Sequence, residues 1–258
     1  MSTLATQVGA IAGRSVRKTL RQPASAIPPL VFPVALMLVN AGGLKASTLL
    51  PGFPTDSFLA FALAVPFIQG ALFSTMNAGT DLARDIQTGF LNRLALTPLR
   101  GTALLAGQLA GIVVLGVGQA IFYVAVGLVS GIDFESGVAG IAVLLGFSAL
   151  VSLGFGALGA FLALRTGSGE SVQGLFPVLF VFLFISSMNT PRELIAVDWF
   201  RTAATINPVS YLIECVRSLV IVGWDGTALA LGFATALAIA IVSLGAAAWA
   251  LPRRIERT

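Results

Sequence analysis

Few side chains in this 258-residue sequence are able to carry out chemistry. It contains 15 Lys and Arg, 11 Asp and Glu, no His and the single Cys215. Without His, the commonest acid–base residue of enzymes is missing. One Cys offers no internal disulfide, and no Cys or His cluster offers metal ligands. The residue types therefore disfavour an enzyme, and no metal site is expected.

The charges that are present fall into two informative groups. Residues 80–99 read TDLARDIQTGFLNRLALTPL, an amphipathic stretch that is too polar to span a membrane and ends just before an apolar run. In the second group, Glu214 and Arg217 lie three positions apart and can pair on one helix face. The first group predicts an inner loop. The second predicts short outer helices, because a span here would bury both charges in hydrocarbon.

Two helix-spaced stripes are candidates for ligand contact. They are Gln69, Phe73 and Asn77, and Phe176, Phe180 and Phe184. Aromatic and amide surfaces suit large amphipathic compounds. The same spacing is typical of Phe residues that face lipid or pack against a neighbouring helix, so both interpretations stay open.

A nucleotide site is not expected in this chain. Residues 165–171, RTGSGES, are rich in Gly. They lack the Lys and the spacing of a phosphate-binding loop, and no strand pattern precedes them. The segment predicts a short inner turn.

The elements that must position these residues are apolar helices. The chain is 57% hydrophobic and 10% charged, with a mean hydropathy of +0.94, whereas an ordinary soluble domain is about 25% charged. All but the fifth of its six apolar stretches exceed the roughly eighteen residues that indicate a span; the stretches are residues 26–44, 57–76, 104–129, 137–164, 172–188 and 227–251. We expect an all-α membrane protein of six transmembrane helices. Residues 1–258 form one domain, without a nucleotide-binding domain.

The distribution of charge predicts the topology. With the N-terminus inside and six crossings, the inner segments hold eleven basic and four acidic residues, and the outer segments four and seven. This agrees with the positive-inside rule, so both termini are expected in the cytoplasm. The basic residues are not interleaved with stacking aromatics, which disfavours nucleic acid despite a pI of 10.0.

The N-terminal residues 3–22 predict an amphipathic helix at the anionic inner leaflet, because four basic residues share one face: Arg14, Arg17, Lys18 and Arg21. A frayed basic tail is one alternative. A cleaved signal peptide ending near residues 41 and 42 is another, disfavoured because the apolar run is longer than is usual.

No Asp, Glu, Lys or Arg lies deep within any of the six stretches. Ion-coupled transporters and intramembrane hydrolases usually need such groups at depth. The energy for any transport must therefore come from elsewhere.

Two motifs carry a resemblance to a known family. In the inner loop an acidic residue is followed by Gly-Phe, Arg-Leu and Pro, at Asp85, Gly89, Phe90, Arg93, Leu94 and Pro98. The last outer loop reads Asn-Pro-Val-Ser-Tyr over residues 207–211, with Glu214 and Arg217 after it. With the order of the elements along essentially the whole chain, this resembles the permease subunits of ABC-type exporters, the transporter type-2 permease family. The most similar are those of daunorubicin-resistance exporters.

The resemblance implies a permease half that pairs with a second copy or a paralogue and docks on two cytosolic ABC ATPase subunits. The partner subunits bind ATP and Mg, and this chain itself is no enzyme and needs no cofactor. The complex would export a hydrophobic or amphipathic compound, such as a drug, an antibiotic or a lipid-like molecule, across the cell membrane.

The resemblance also implies roles for particular residues. The inner loop would form a short cytoplasmic coupling helix that sits in a groove of the ATPase. Coupling would use Arg84, Asp85, Gly89, Phe90, Arg93 and Pro98. Because the second and fifth spans face the pathway in that family, the substrate path would be lined by Gln69, Phe73, Asn77, Phe176, Phe180 and Phe184. An outer gate would include Asn207, Pro208, Glu214 and Arg217. For Glu214 and Arg217, a purely local helix-stabilising pair is the alternative.

Other classes of function remain as alternatives. An ATP-independent carrier or channel would not need the inner-loop motif, and without a partner that loop is an ordinary solvated connector. An intramembrane enzyme would need catalytic polar residues that the sequence lacks.

Overall fold

The structure, a computed structural model, describes residues 4–21, 27–89 and 101–255. All regular structure in these three ranges is helical. The helices are α1 (Leu4–Leu20), α2 (Pro28–Gly43), α3 (Phe58–Ala62), α4 (Ala64–Gln87), α5 (Gly101–Val129), α6 (Gly137–Thr166), α7 (Gly169–Gly174), α8 (Phe176–Phe184), α9 (Asp198–Ile206), α10 (Pro208–Arg217) and α11 (Gly226–Ile255). A π-helical turn, Ser218–Val222, extends α10.

Four of the described helical segments are long and apolar enough to cross a membrane. They are Phe58–Gln87, Ala103–Val129, Gly137–Thr166 and Gly226–Arg254. Two further apolar segments are shorter, Pro28–Gly43 and Gly169–Phe184, and the bent pair Asp198–Ile206 and Pro208–Val222 turns by 80°. Counting that pair as one broken span gives five. A helical segment occupies each of the six predicted stretches, but six crossings remain a prediction.

Prolines explain why two of the apolar segments are irregular. Pro28 and Pro29 occupy the first turn of α2, where a missing N–H is tolerated, and Pro33 lies inside it. Pro177 occupies the first turn of α8, directly after the break that separates it from α7. The fifth predicted span is therefore two short helices instead of one.

The helix α4 lies at the centre, and α6 packs between it and α11. Glycines permit these close crossings. A Cβ at Gly159 of α6 would collide with the backbone of Thr75 in α4, and one at Gly154 would lie 3.1 Å from the backbone nitrogen of Ala240 in α11. Small residues let helix backbones approach closely in lipid, and these two glycines do so here.

One boundary differs from the prediction. Residues 80–87 were expected in an inner loop, but α4 continues through them and ends at Gln87. Gly89 follows the helix with a φ of +69°. The expectation of a separate loop is wrong for this part. Polar residues extend the helix here because partners from other helices satisfy them.

The helices α4, α6 and α11 all end at one end of the bundle and α5 begins there, so the polar residues gather at two ends. We call one the basic end: it carries Arg14, Lys18, Arg84, Arg165, Arg253 and Arg254. We call the other the opposite end: it holds α3, α9 and α10 with the connections between them. The candidate functional residues lie at these two ends and on the surface between them.

Candidate functional site

At the basic end, two ion pairs join α1 to α4. Arg14 Nη2 lies 2.5 Å from Asp85 Oδ2, and Lys18 Nζ lies 2.6 Å from Asp81 Oδ1. Arg14 and Lys18 lie four residues apart on α1, and Asp81 and Asp85 lie four apart on α4. Residues at this spacing share one helix face, so both ion pairs form between the same two faces. Gln108 of α5 adds a third contact, donating from Nε2 to Asp85 Oδ2 at 3.1 Å.

Glycines of α5 bring α1 against the bundle. A Cβ at Gly107 would lie 2.6 Å from Cβ of Ile11, and one at Gly111 would lie 2.6 Å from Cβ of Ser15. Neither position has room for a larger side chain unless α1 moves. The amphipathic N-terminal helix therefore docks on α4 and α5.

The predicted coupling residues differ in surroundings. Asp85 points inward, with its side chain 9% exposed and its charge already paired to Arg14. Arg84 is exposed, and Gly89 ends α4 in the left-handed conformation that favours glycine. Phe90, Arg93 and Pro98 lie outside the described residues. The structure thus separates Asp85, which fixes α1, from Arg84, which is open to a partner.

Midway along the bundle, aromatic rings from three helices meet. The centroid of Phe73 on α4 lies 5.1 Å from that of Phe176 on α8, and Phe176 lies 4.5 Å from Phe180. Phe184 follows at 6.2 Å from Phe180. We call these residues, together with Phe32, the aromatic surface. Phe73 of the first predicted stripe therefore meets the Phe stripe of α8.

Sequence reasoning missed Phe32 of α2. Its ring lies 6.2 Å from Phe73 and 6.0 Å from Phe180, and the residue is 46% exposed. It belongs to no helix-spaced stripe, so only the packing of α2 beside α4 and α8 reveals it.

The predicted amides do not join this surface as a stripe. Gln69 is fully buried, and neither its amide oxygen nor its nitrogen has a hydrogen-bond partner. Asn77 is half-buried one turn beyond Phe73. Gln69 is therefore a buried polar side chain inside the bundle and not part of the exposed surface. Leaving its amide unpaired costs free energy.

At the opposite end, Arg217 is 5% exposed and its guanidinium lies 3.5 Å from the ring centroid of Phe61. Its Nη2 donates to the carbonyls of Ser187 at 3.0 Å and Met188 at 3.1 Å, and its Nε donates to that of Phe61 at 3.4 Å. One side chain therefore joins α10 to α3 and to the segment that follows α8.

The local pair predicted between Glu214 and Arg217 is not formed. Glu214 Oε2 lies instead 2.5 Å from Arg192 Nη2, and the guanidinium of Arg192 lies 4.7 Å from the ring centroid of Tyr211. Burial lowers the pKa of Arg192, but Glu214 and Tyr211 together outweigh it, and the net pKa is raised above its usual value. Arg192 is therefore a permanent cation here.

The predicted Asn207 and Pro208 begin α10. Asn207 Oδ1 accepts from the backbone nitrogen of Val209 at 2.9 Å, an N-terminal cap, while its Nδ2 donates to the carbonyls of Phe182 at 2.5 Å and Ile185 at 2.7 Å. Pro208 occupies the first turn, where its ring is tolerated. This pair fixes the bend between α9 and α10 to the end of α8.

The opposite end contains an open cavity of about 260 Å³, whose lining includes Phe61, Arg192, Glu193, Tyr211, Glu214 and Arg217. Arg192 pairs with Glu214, and Arg217 donates to backbone carbonyls, so these two arginines help to hold the shape of the cavity. Among the described residues, no group of three or more His, Cys, Asp or Glu could hold a metal ion.

Comparison with known proteins gives a consistent result. A sequence model of the ABC-2 type transporter family matches residues 6–221. The daunorubicin resistance ABC transporter permease protein DrrB1 of Streptomyces coeruleorubidus is 29% identical over 197 residues, which cover 74% of this chain and 65% of that protein.

Two further relatives are the ycf38 proteins of Pyropia yezoensis and Porphyra purpurea, described provisionally as transport permeases. Both are 28% identical to this chain, over 233 and 214 residues. The alignments cover 87% and 82% of this chain and 78% and 72% of theirs. The chain thus spans 65% of the length of the Streptomyces relative and more of the other two.

Proposed function

Because the chain belongs to the ABC-2 type transporter family, we propose that it is the permease subunit of an ABC exporter. Two permease chains, identical or paralogous, would pair in the cell membrane and dock on two cytosolic ABC ATPase subunits. Those subunits would bind ATP and Mg and supply the energy. Residues 1–258 would act as one transmembrane domain with six crossings, both termini inside, and no cofactor of their own.

The observation that carries this proposal is the docking of α1 at the basic end. The helices α4 and α5 lead into and out of residues 88–100, the segment with the family motif. Asp85 on α4 contacts both Arg14 of α1 and Gln108 of α5. A push on the segment would therefore move α1, α4 and α5 together, which is what transmission of ATP-driven motion requires.

Within this proposal the coupling residues divide their work. Phe90 would be the apolar anchor in the ATPase groove, with Arg84 and Arg93 providing polar docking. Gly89 and Pro98 would set the two bends of the segment. Asp85 would act inside the permease, by holding α1 in place.

The aromatic surface is the proposed substrate path. Its rings are arranged edge-on or tilted, and Phe32 and Phe184 are about half exposed at 46% and 51%. Such a surface suits a flat or amphipathic molecule. At its far end, the cavity around Arg192 and Glu214 would form the outer gate. The Streptomyces relative is named for daunorubicin resistance, so daunorubicin is the first compound to test.

The test is reconstitution with and without an ABC ATPase encoded beside the permease gene. We expect the permease alone to hydrolyse no ATP, and the complex in proteoliposomes to hydrolyse ATP and move an amphipathic dye or daunorubicin. Phe180→Ala should reduce transport, whereas Val114→Ala, on the exposed face of α5, should not. Transport by the permease alone, or no association with the ATPase, would reject the proposal in favour of an ATP-independent carrier.

A further inference from the structure

Three arginines gather at the basic end, where α6 and α11 finish. Arg165 is in the last turn of α6, and Arg253 and Arg254 are in the last turns of α11. The two helix ends lie side by side, and a small cleft between them is lined by Leu164, Ala250, Trp249 and the three arginines.

Trp249 organises this cluster. The guanidinium of Arg253 lies 3.7 Å from the indole centroid, and that of Arg165 lies 5.5 Å from it. The indole is half exposed. A Trp ring at the end of an apolar helix marks the level of lipid headgroups, so the arginines stacked on it lie at that level too.

The positive charge of the cluster is not neutralised within the described part of the chain. No Asp or Glu there forms an ion pair with any of the three arginines, in contrast to Arg14 and Lys18. Arg253 uses one donor on the carbonyl of Trp249, at 3.3 Å. Arg254 covers Gly167, and its Nε is buried without a partner. Most of the guanidinium donors are therefore available to an external anion.

An apolar face continues from the cluster along α11. Ile241 and Val242 lie two turns from Trp249 on the same side, and they are 61% and 71% exposed. The site thus combines phosphate-type donors at the membrane surface with an adjoining apolar strip.

We propose that Arg165, Arg253, Arg254 and Trp249 form a binding site for the headgroup phosphate of an anionic phospholipid, whose acyl chain lies along the exposed face of α11. A site open to an acidic protein surface would need no apolar strip below it, whereas a lipid does. Guanidinium groups hold phosphate oxygens in forked hydrogen bonds, and basic pockets between spans recognise anionic headgroups. The placement in the cytoplasmic leaflet rests on the topology proposed above.

The test measures lipid retained by the full-length protein in nanodiscs of phosphatidylglycerol and phosphatidylcholine, by native mass spectrometry. The variant is R165Q/R253Q, which removes the two exposed arginines beside the indole and leaves Arg254 over Gly167. The matched control is K45Q/R201Q, which removes the same charge from exposed positions at the opposite end. A third variant, R165K/R253K, keeps the charge without the forked donors.

We expect the wild type and the control to retain phosphatidylglycerol in preference to phosphatidylcholine. Each Arg near an anionic surface strengthens binding about fivefold, so R165Q/R253Q should lose about 25-fold of that preference. R165K/R253K should keep most of it. Equal preference in R165Q/R253Q and the wild type, or an equal loss in the control, would overturn the proposal.

A second measurement separates a protein ligand from a lipid. If R165Q/R253Q loses association with the ATPase while keeping its preference for phosphatidylglycerol, the cluster binds the ATPase and the lipid site is refuted. Lipid retention is measured on the permease alone, so failure of the exporter proposal would leave this result unaffected.

Discussion

The two ends of the molecule use arginine in opposite ways. At the basic end, Arg14 is 41% exposed in its side chain and meets the carboxylate of Asp85 on another helix. At the opposite end, Arg217 is buried, stacked on a ring, and bonded to three backbone carbonyls. The first contact joins two helices through a charge pair that water can replace. The second contact joins two backbone segments, because one guanidinium donates to carbonyls on both of them.

The contrast teaches where the molecule can move. Partly exposed ion pairs contribute about 1 kcal/mol or less and exchange easily with solvent, whereas a buried charged donor leaves unsatisfied acceptors when it is withdrawn. We therefore expect α1, α4 and α5 to move together at the basic end during a transport cycle, while the junction around Arg217 stays fixed. Three experiments test this comparison.

The largest effect is expected from Arg217→Met. The change keeps apolar bulk against Phe61 but leaves the carbonyls of Ser187 and Met188 without their donor, at a cost of about 3 kcal/mol. The midpoint of thermal aggregation in detergent should fall sharply, with less protein in the membrane. Arg201→Met, exposed at the same end, is the control and should change little. A stable Arg217→Met protein would show that this end is not held as described.

A smaller effect is expected from Gly111→Leu. The new side chain would meet Ser15 and the carbonyl of Ala12, so α1 must move away, and overpacking of this kind costs about 1–3 kcal/mol. Trypsin should then cleave α1 faster at its basic residues. Gly118→Leu on the same helix has nothing within 4 Å of the new Cβ and is the matched control. Equal cleavage in both variants would argue against the docking of α1.

The smallest effect is expected at the charge pair itself. Asp85→Arg places two cations together, and Arg14→Asp does the same with two carboxylates, so each alone should loosen α1 by about 1 kcal/mol. The double variant restores an opposite-charge pair and should recover part of the loss. A double-mutant cycle on the trypsin cleavage rate measures the coupling. Additive losses, without recovery in the double variant, would mean that the pair does not hold α1.

Hydropathy alone predicted the class of protein. A span must be apolar over about twenty residues to cross the hydrocarbon, and it must be helical to pair its backbone groups internally. The all-helical class and the family are confirmed. The end of α4 was predicted wrongly because the polarity of Asp81 and Asp85 indicates a loop until their partners are known. Those partners, Arg14 and Lys18, lie more than 60 residues away in sequence.

The candidate sites show the same limit. The spacing of Glu214 and Arg217 indicated a local pair, but Arg192 from a preceding turn takes the carboxylate. Of the two predicted stripes, Phe73 and the three Phe residues of α8 come together while Gln69 does not, and Phe32 has no repeat in the sequence to mark it. Local spacing predicts which residues share a face, and packing decides which faces meet. The coupling, pathway and gate roles stay predictions.

The central claim is that residues 88–100 transmit ATP hydrolysis to the spans, and one measurement tests it most directly. Phe90→Ala should remove an aromatic anchor worth about 2 kcal/mol at an interface, an approximately 30-fold weaker association with the ATPase. Arg93→Glu should weaken it too. The control is Phe122→Ala, 38% exposed on α5.

We expect all three variants to reach the membrane at normal levels. The measurement is ATP-driven export by the reconstituted complex, with ATPase binding recorded in parallel. The account predicts that Phe90→Ala and Arg93→Glu lose both, while Phe122→Ala keeps both. Normal binding and export in Phe90→Ala and Arg93→Glu would contradict it and leave the segment as a simple connector.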